Sequence, residues 1–506
     1  MPVSLSRRKF LKVSGLMATW AALAACNPRP QPTPTPPPAT ARPGATPPPS
    51  PVHSTLLLHT LRRLTFGLTP DMLARAQTIG LEGWLDEQLH PEASDDPALE
   101  ARLAPFTTFA MTPSERAELE RPAQAAQELI AATLLRQRYS TRQVHELLVD
   151  FWTNHFNIFI GKSQCRILKT DDDLNVIRPN ALGQFRDLLW ASVHSPAMLV
   201  YLDQATSTNE VPNENYAREL MELHTLSVES GYTHHDVEEV ARALTGWSVT
   251  GRRESNLGAY VYRPRVHDDG EKHLLTLHLP AGGGERDGEM VLDYLAAHDW
   301  TAHFISAKLA RRFVADDPPA LLVENLTSVF KSTGGDVREL MRALVTSVDF
   351  QSSAGQKLKR PLEFFVSALR ATGAELAVGQ ADRNWRGLSN WLRLLGQTPF
   401  GWPPPDGYPD YAGWWLTTSG LLNRWNFAQQ LAANELQGVT VNLKPLTADA
   451  QSPADVVDTL SQRFLGEPLP EDARAILLDF ASTRALDQNL PAIAGLILGS
   501  PHFQLR

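Results

Sequence analysis

From His53 onward, apolar residues recur at the three- and four-residue steps of a helix. Leu56, Leu57, Leu61 and Leu64 lie along one stripe, which must be buried against a core. Thr69-Pro70-Asp71 then combines an N-cap, a first-turn proline and an early acid; Gly80 stops that helix and a short segment from Leu81 to Leu89 follows. Residues 91–122 are rich in proline and read as loops. Ala123 to Arg138 is an Ala- and Leu-rich helix, and Ser140 to Gln143 reads as a capping box that opens the next one. The same periodicity predicts helices over 180–194, 213–228, 234–246, 301–314, 318–332, 335–347, 360–372 and 385–396, with more after 420. The pattern predicts a mainly α fold, a multi-helix orthogonal or bundle-like body.

Two stretches depart from that pattern. In 258–280, GAYVYRPRVHDDGEKHLLTLHLP, alternating aromatic and aliphatic residues flank Asp268-Asp269-Gly270, the signature of a small β-hairpin insertion. In 398–415, TPFGWPPPDGYPDYAGWW, proline and glycine exclude regular structure. Phe400, Trp402, Tyr408, Tyr411, Trp414 and Trp415 are too apolar to dangle, so a long ordered loop clamped onto the body is expected.

The N-terminus follows different rules. MPVSLSRRKFLKVSG places Arg7 and Arg8 before an apolar run from Val13 to Ala25 that lacks acidic residues, the pattern of a twin-arginine export signal. Leu23-Ala24-Ala25-Cys26 resembles a lipobox, so residues 1–25 read as a signal peptide and Cys26 as a lipidation site. The Pro-rich segment 26–52 cannot collapse and serves as an extended tether. Residues 53–506 form the body. The expected location is the extracytoplasmic side of a membrane, held by acyl chains on Cys26, in the outer membrane where the host has one.

Charge and cysteine content narrow the classes. The net charge of -9 becomes more negative by four once Arg7, Arg8, Lys9 and Lys12 leave with the signal, which argues against nucleic-acid binding. Only Cys165 remains after Cys26, so no internal disulfide can form and stability must come from a core. No phosphate-cradling glycine pattern, Gly-x-Ser-x-Gly or His-Glu-x-x-His occurs.

Candidate chemistry lies in three places. In PNENYARELMELHTL, residues 212–226, an α-helical wheel puts Tyr216, Leu220 and Leu223 on a core face, and Asn215, Arg218, Glu219 and Glu222 on the neighbouring sector. His224 falls on the other flank. In HELLVDFWTNHFNIFIG, residues 145–161, apolar residues surround nearly the whole helix, yet Glu146, Asp150, Asn154 and Asn157 form one polar strip. Such a strip must meet water, an ion or another polar strip, and the Asn215 to Glu222 side is a candidate partner. His155 reads as a hydrogen-bonded core histidine or as a ligand. The third place is His267-Asp268-Asp269-Gly270-Glu271-Lys272, a hydrophilic turn or a calcium-binding one. In His234-His235-Asp236 a helix begins, with Thr233 as its cap.

Taken in order, LRRLTFG (61–67), DFWTNHFN (150–157), VIRPNALGQFRDLL (176–189), SPAMLVYLD (195–203), PNENYARELMELHTL, YTHHDVEEVARALTGW (232–247), HDDGEK (267–272), KLARRFV (308–314) and PPPDGYP (403–409) resemble the bacterial exported family DUF1800, a domain of unknown function. His224 departs from the Phe of that pattern, which argues against a ligand role. The resemblance implies an exported, largely helical protein without an established activity, often encoded beside an exported companion of the DUF1501 type that is similar to phosphatases and sulfatases.

Two functions follow as expectations. The first is a tethered scaffold or binding protein for such a companion or an extracellular polymer, with Asn154, Asn157, Asn215, His267 and Asp268 as binding candidates. The second is a metal-assisted hydrolase. There Glu219, Glu222, His155, Asp150 and Arg218 are the catalytic candidates, and Glu219, Glu222, His267 and Asp268 the candidate ligands of a divalent metal.

Overall fold

All 11 residues of the helix Pro361–Ala371 are buried, and the architecture is arranged around it. Arg360 precedes it, Pro361 opens it, and the Glu363 carboxylate accepts the Arg360 backbone N–H at 2.8 Å, which satisfies one of the donors every helix start leaves over. Apart from Glu363, Ser367 and Arg370, the helix presents apolar residues around its circumference, including Leu362, Phe364, Phe365, Val366 and Leu369, as an enclosed helix requires. Helices Ala123–Tyr139, Asn384–Leu395, Thr418–Ala432 and Pro453–Leu465 pack against it.

The computed structural model describes residues 56–91, 96–251, 253–254, 256–377, 384–482 and 486–506; the expected signal, lipidation site and tether lie outside them. Helices make up 64% of the structure, and the sheets among the described residues are three two-stranded pairs. The mainly α expectation holds. Predicted helices appear as Phe185–Val193, His234–Ala243, Asp299–Phe313, Ala320–Thr333, Val337–Thr346 and Asn384–Leu395. Gly80, at φ 75, kinks the helix Pro70–Leu89 where a stop was expected.

Local differences have local causes. Residues 91–122 contain helices Pro97–Leu103 and Pro113–Glu118, each opened by an acceptor side chain, Asp96 or Thr112, followed by proline. Ser140 and Gln143 do not form a capping box. The Gln143 amide instead donates to the Gln137 and Ser140 carbonyls and accepts from Phe66 N. The single hairpin expected to turn at Asp268-Gly270 is two. Trp247–Val249 pairs with Tyr260–Tyr262, and Lys272–Leu274 pairs with Leu277–Leu279 around Leu275-Thr276. Leu275 adopts φ 48 there, a conformation that Gly or Asn would have advertised and Leu does not.

The N-terminal segment is locked to the central helix by close approach. Gly67 has φ +140, and a Cβ there would stand 2.8 Å from Ser367 Cα, so only glycine lets the chain pass. Arg370 donates to the Gly67 carbonyl at 2.8 Å and to the Arg138 carbonyl at 2.7 Å. Arg63, fully buried, donates to the carbonyls of Phe313, Val314, Ser353 and Arg506. It thereby places a cation at the negative end of helix Asp299–Phe313.

Glu363 is the centre of a buried ion network. It pairs with Arg312 and, at 2.8 Å, with Arg506. Arg312 also reaches Asp150 at 3.2 Å, Arg360 pairs with the same Asp150 oxygen, and Lys357 joins Asp316 at 2.6 Å and Asp410 at 3.7 Å. Burial alone would raise the Glu363 carboxyl; the charges of Arg312, Arg506 and Arg360 overcome that and hold it well below its ordinary 4.5. Removing one partner strands the others in a medium of low polarity, so Arg312→Ala is expected to cost about 3–5 kcal/mol in chemical denaturation. Because the folded value of Glu363 is depressed, its contribution is complete above about pH 4.5 and drains as pH falls below it. Glu363→Gln should therefore unfold more easily at pH 7 and show a flatter acid limb of melting temperature against pH than the unaltered protein.

Candidate functional site

The polar strip is fully engaged, residue by residue: Glu146, Asp150 and Asn154 stand on the helix Gln143–His155, and Asn157 follows just past its end, where the helix was expected to continue. Glu146 pairs with Arg178, and Asp150 with Arg312 and Arg360. The Asn154 amide donates to the Tyr408 carbonyl at 2.9 Å while its oxygen accepts Tyr408 N at 2.7 Å. Asn157 donates to the carbonyls of Trp402 at 3.0 Å and Pro404 at 2.6 Å. Tyr201 adds a bond to the Pro403 carbonyl at 2.7 Å. The strip is a buried seam, as expected, but arginines and the backbone of the Pro-rich loop supply these bonds, and the Asn215 to Glu222 side supplies none of them. Gly407 makes the close fit possible: it has φ +75, and a Cβ would lie 2.2 Å from the Asn154 carbonyl.

A cavity of about 30 Å³ remains along the seam, lined by Glu146, Asp150, Thr153, Gln137 and Tyr408 among others. Gln137 Oε1 and Thr153 Oγ1 are buried there without a hydrogen-bond partner. That volume suits a water molecule and excludes a substrate. A larger surface groove of about 1010 Å³ lies between Pro70–Leu89 and Pro453–Leu465, where Asp458 and Arg474 pair with each other.

On the outer side of the clamped loop the rings are partly free. Tyr411 and Trp414 are each 47% exposed. Trp402 donates its indole N–H to Asp406 at 2.8 Å and meets Trp414 edge-on, ring centres 6.1 Å apart. Trp415 is buried and donates to the Pro409 carbonyl. Carboxylates accompany the loop: Asp406 is exposed, and Glu219 and Glu222 are half-buried. Burial raises the Glu219 carboxyl, the charges of Glu222 and Asp406 add to the rise, and Arg218 opposes it. Tyr232 donates to Glu222 at 3.3 Å. Asn215 is exposed.

Two buried histidines, His155 and His224, lie next to Lys308. His155 Nε2 is 3.1 Å from the His224 carbonyl and must donate to it, which leaves Nδ1 to accept from the Lys308 ammonium at 2.9 Å. Burial, then the Lys308 charge, pushes both histidines down, His224 to about 3. Burial also lowers Lys308 to about 8, against the pull of Asp410. His155 is thus a hydrogen-bonded core residue. His224 is buried because helix Glu214–Glu219 continues as a π-helix over Leu220–Thr225, with Leu226 N bonded to the Met221 carbonyl five residues back. The wider turn rotates Met221, His224 and Thr225 inward and leaves Leu223 half-exposed, correcting the wheel drawn at α-helical pitch.

The HDDGEK turn is occupied by the chain's own cation. Lys272 Nζ sits 2.5 Å from the Asp268 carbonyl, 2.8 Å from that of Gly270 and 2.7 Å from the Asp287 carboxylate. Asp268 itself makes a two-pronged pair with Arg242, and the buried His267 contacts the Thr245 carbonyl and Asp287. The turn's inward oxygens are thus engaged by an ammonium. Glu219, Glu222, His267 and Asp268 belong to no cluster of metal-ligating side chains among the described residues. Sequence reading did not single out Lys308 or Asp406 as site residues, although they stand in the stretches KLARRFV and PPPDGYP. It also missed the pairing of Asp150 with arginines drawn from residues 312 and 360.

We expect nitrogen-detected NMR to find His155 neutral, protonated on Nε2, from pH 8 down to the acid unfolding transition. Asn157→Ala should cost about 0.5–1.5 kcal/mol by removing the bonds to the Trp402 and Pro404 carbonyls, and should speed proteolysis within 398–415.

The family model described as "Protein of unknown function (DUF1800)" matches residues 59–505, and the chain belongs to that family. No curated protein and no solved structure matches it.

Proposed function

We propose that this member of the DUF1800 family is an exported, lipid-anchored binding protein that holds an extracellular polymer, of glycan type, at the cell surface. One observation carries the reading: the loop 398–415 is clamped by its backbone from below while Tyr411 and Trp414 are exposed on it, Trp414 meeting the half-buried Trp402, which is bonded to Asp406, whose charge reaches Glu219. Ring faces stack on the apolar faces of sugars, and carboxylates accept their hydroxyls, so the combination suits a carbohydrate chain. The state of the buried strip supports binding over chemistry, because its carboxylates are held by arginines and are not available as a base. The twin-arginine pattern, Cys26 and the Pro-rich tether supply the address.

A second reading, a hydrolase acting outside the cytoplasm, draws on a different observation. Glu219 is a half-exposed carboxyl with a raised proton affinity, the property of a general acid. The two readings separate in one comparison. Trp414→Ala and Trp402→Ala should each weaken retention on insoluble cell-wall polysaccharide about tenfold, with no soluble sugar released by any variant. Release of reducing ends that stops in Glu219→Gln would replace the binding reading with the hydrolytic one. For the anchor, Cys26→Ala should abolish incorporation of labelled palmitate and move the protein from the membrane fraction to the soluble one.

A further inference from the structure

The second hairpin carries a group of side chains that the binding face does not use. Alternation along Lys272–Leu274 puts Glu271 and His273 on one side, with Lys272 and Leu274 on the other. The register then sets His278 directly opposite His273. The two imidazoles stack with centres 4.5 Å apart and planes 12° from parallel. Glu271 Oε1 lies 2.5 Å from His278 Nε2 and 3.4 Å from His273 Nε2. One donor atom from each of the three residues falls within 4.8 Å of the other two.

We propose that Glu271, His273 and His278 bind a single divalent transition-metal ion of the zinc class. Three donors placed tetrahedrally around zinc, at about 2.0–2.1 Å, stand about 3.3 Å from one another. Binding requires the two rings to leave their stacked arrangement so that both ring planes meet at the ion, and the solvent-exposed side chains have room to turn. Two imidazoles and one carboxylate favour zinc, nickel or copper over calcium or magnesium, which prefer all-oxygen shells. The three side chains are each more than half exposed, so the fourth position opens to solvent, where water or a donor from a bound partner completes the shell.

The frame beneath is rigid, which a metal site needs. Lys272 is buried and held by Asp268, Gly270 and Asp287. His273 N donates to Glu239 at 2.7 Å and Leu275 N to Asp236 at 2.5 Å, tying both strand and turn to helix His234–Ala243. A second group, Glu214, His234 and Glu238, also brings three donors together. There the Arg218 guanidinium already stands 3.5 Å from His234 Nδ1 and 3.9 Å from Glu214, and its charge opposes a metal ion.

The test is zinc titration by calorimetry on chelator-stripped protein, with cobalt absorption as a reporter of tetrahedral geometry. One equivalent should bind, and affinity should fall with pH as protons compete for the imidazoles. His273→Ala and His278→Ala should each weaken binding about tenfold or more, and the double substitution should abolish it. Unchanged melting temperatures of the metal-free variants would establish that they fold, and His278→Asn provides a second, milder replacement. Absence of zinc binding in the unaltered protein would overturn the proposal. So would binding that survives the double substitution, or binding lost in His234→Ala instead. None of these readouts depends on polysaccharide retention.

Discussion

A carboxylate enclosed on all sides can exist only where cations come to it, and Glu363 imposes that condition on the whole molecule. It sits in the first turn of a helix with no exposed residue. Arg312 approaches from the helix Asp299–Phe313, Arg360 from the residue just before Pro361–Ala371, and Arg506 from beyond Pro501–Gln504. Asp150 then matches the cations in excess. Segments hundreds of residues apart are thus brought into register by charge as well as by packing. Apolar contact is tolerant of small slips; a buried ion pair that has lost its partner is not.

This constraint also decides what the polar strip of helix Gln143–His155 can do. A strip of carboxylates and amides inside a protein invites a catalytic interpretation, but each member has a structural counterpart. Two bind arginines and two bind the main chain of the loop 398–409. The surface proposed to bind lies farther out, where Trp402, Trp414 and Asp406 adjoin the Glu219 turn.

How much of this was legible in the sequence depended on whether the information was local. Thr233 before Asp236, and Asp71 after Thr69-Pro70, announce helix starts through neighbours a few residues away, and both caps are present. The clamped aromatic loop was legible from the conflict between its prolines and its rings. What could not be read was the choice of partner over long separations: that Asp150 would take arginines from residues 312 and 360 leaves no trace in either segment. The π turn at Leu220–Thr225 was hidden for another reason. A wheel assumes one pitch, and nothing in LMELHT signals the change. The histidine pair of the second hairpin was within reach, since His273 and His278 face each other once the turn is set at Leu275-Thr276, but those turn residues lack the usual signals.

The grip on the loop 398–409 has an evolutionary consequence. Asn154, Asn157 and Tyr201 hold carbonyls and an amide of the main chain, groups that nearly every amino acid carries. These bonds are therefore indifferent to the loop's outward side chains, while Gly407, the buried Phe400 and the Tyr408 hydroxyl belong to the frame. Frame and display are separable, so descendants can exchange the outward residues and acquire new preferences while the scaffold beneath stays constant.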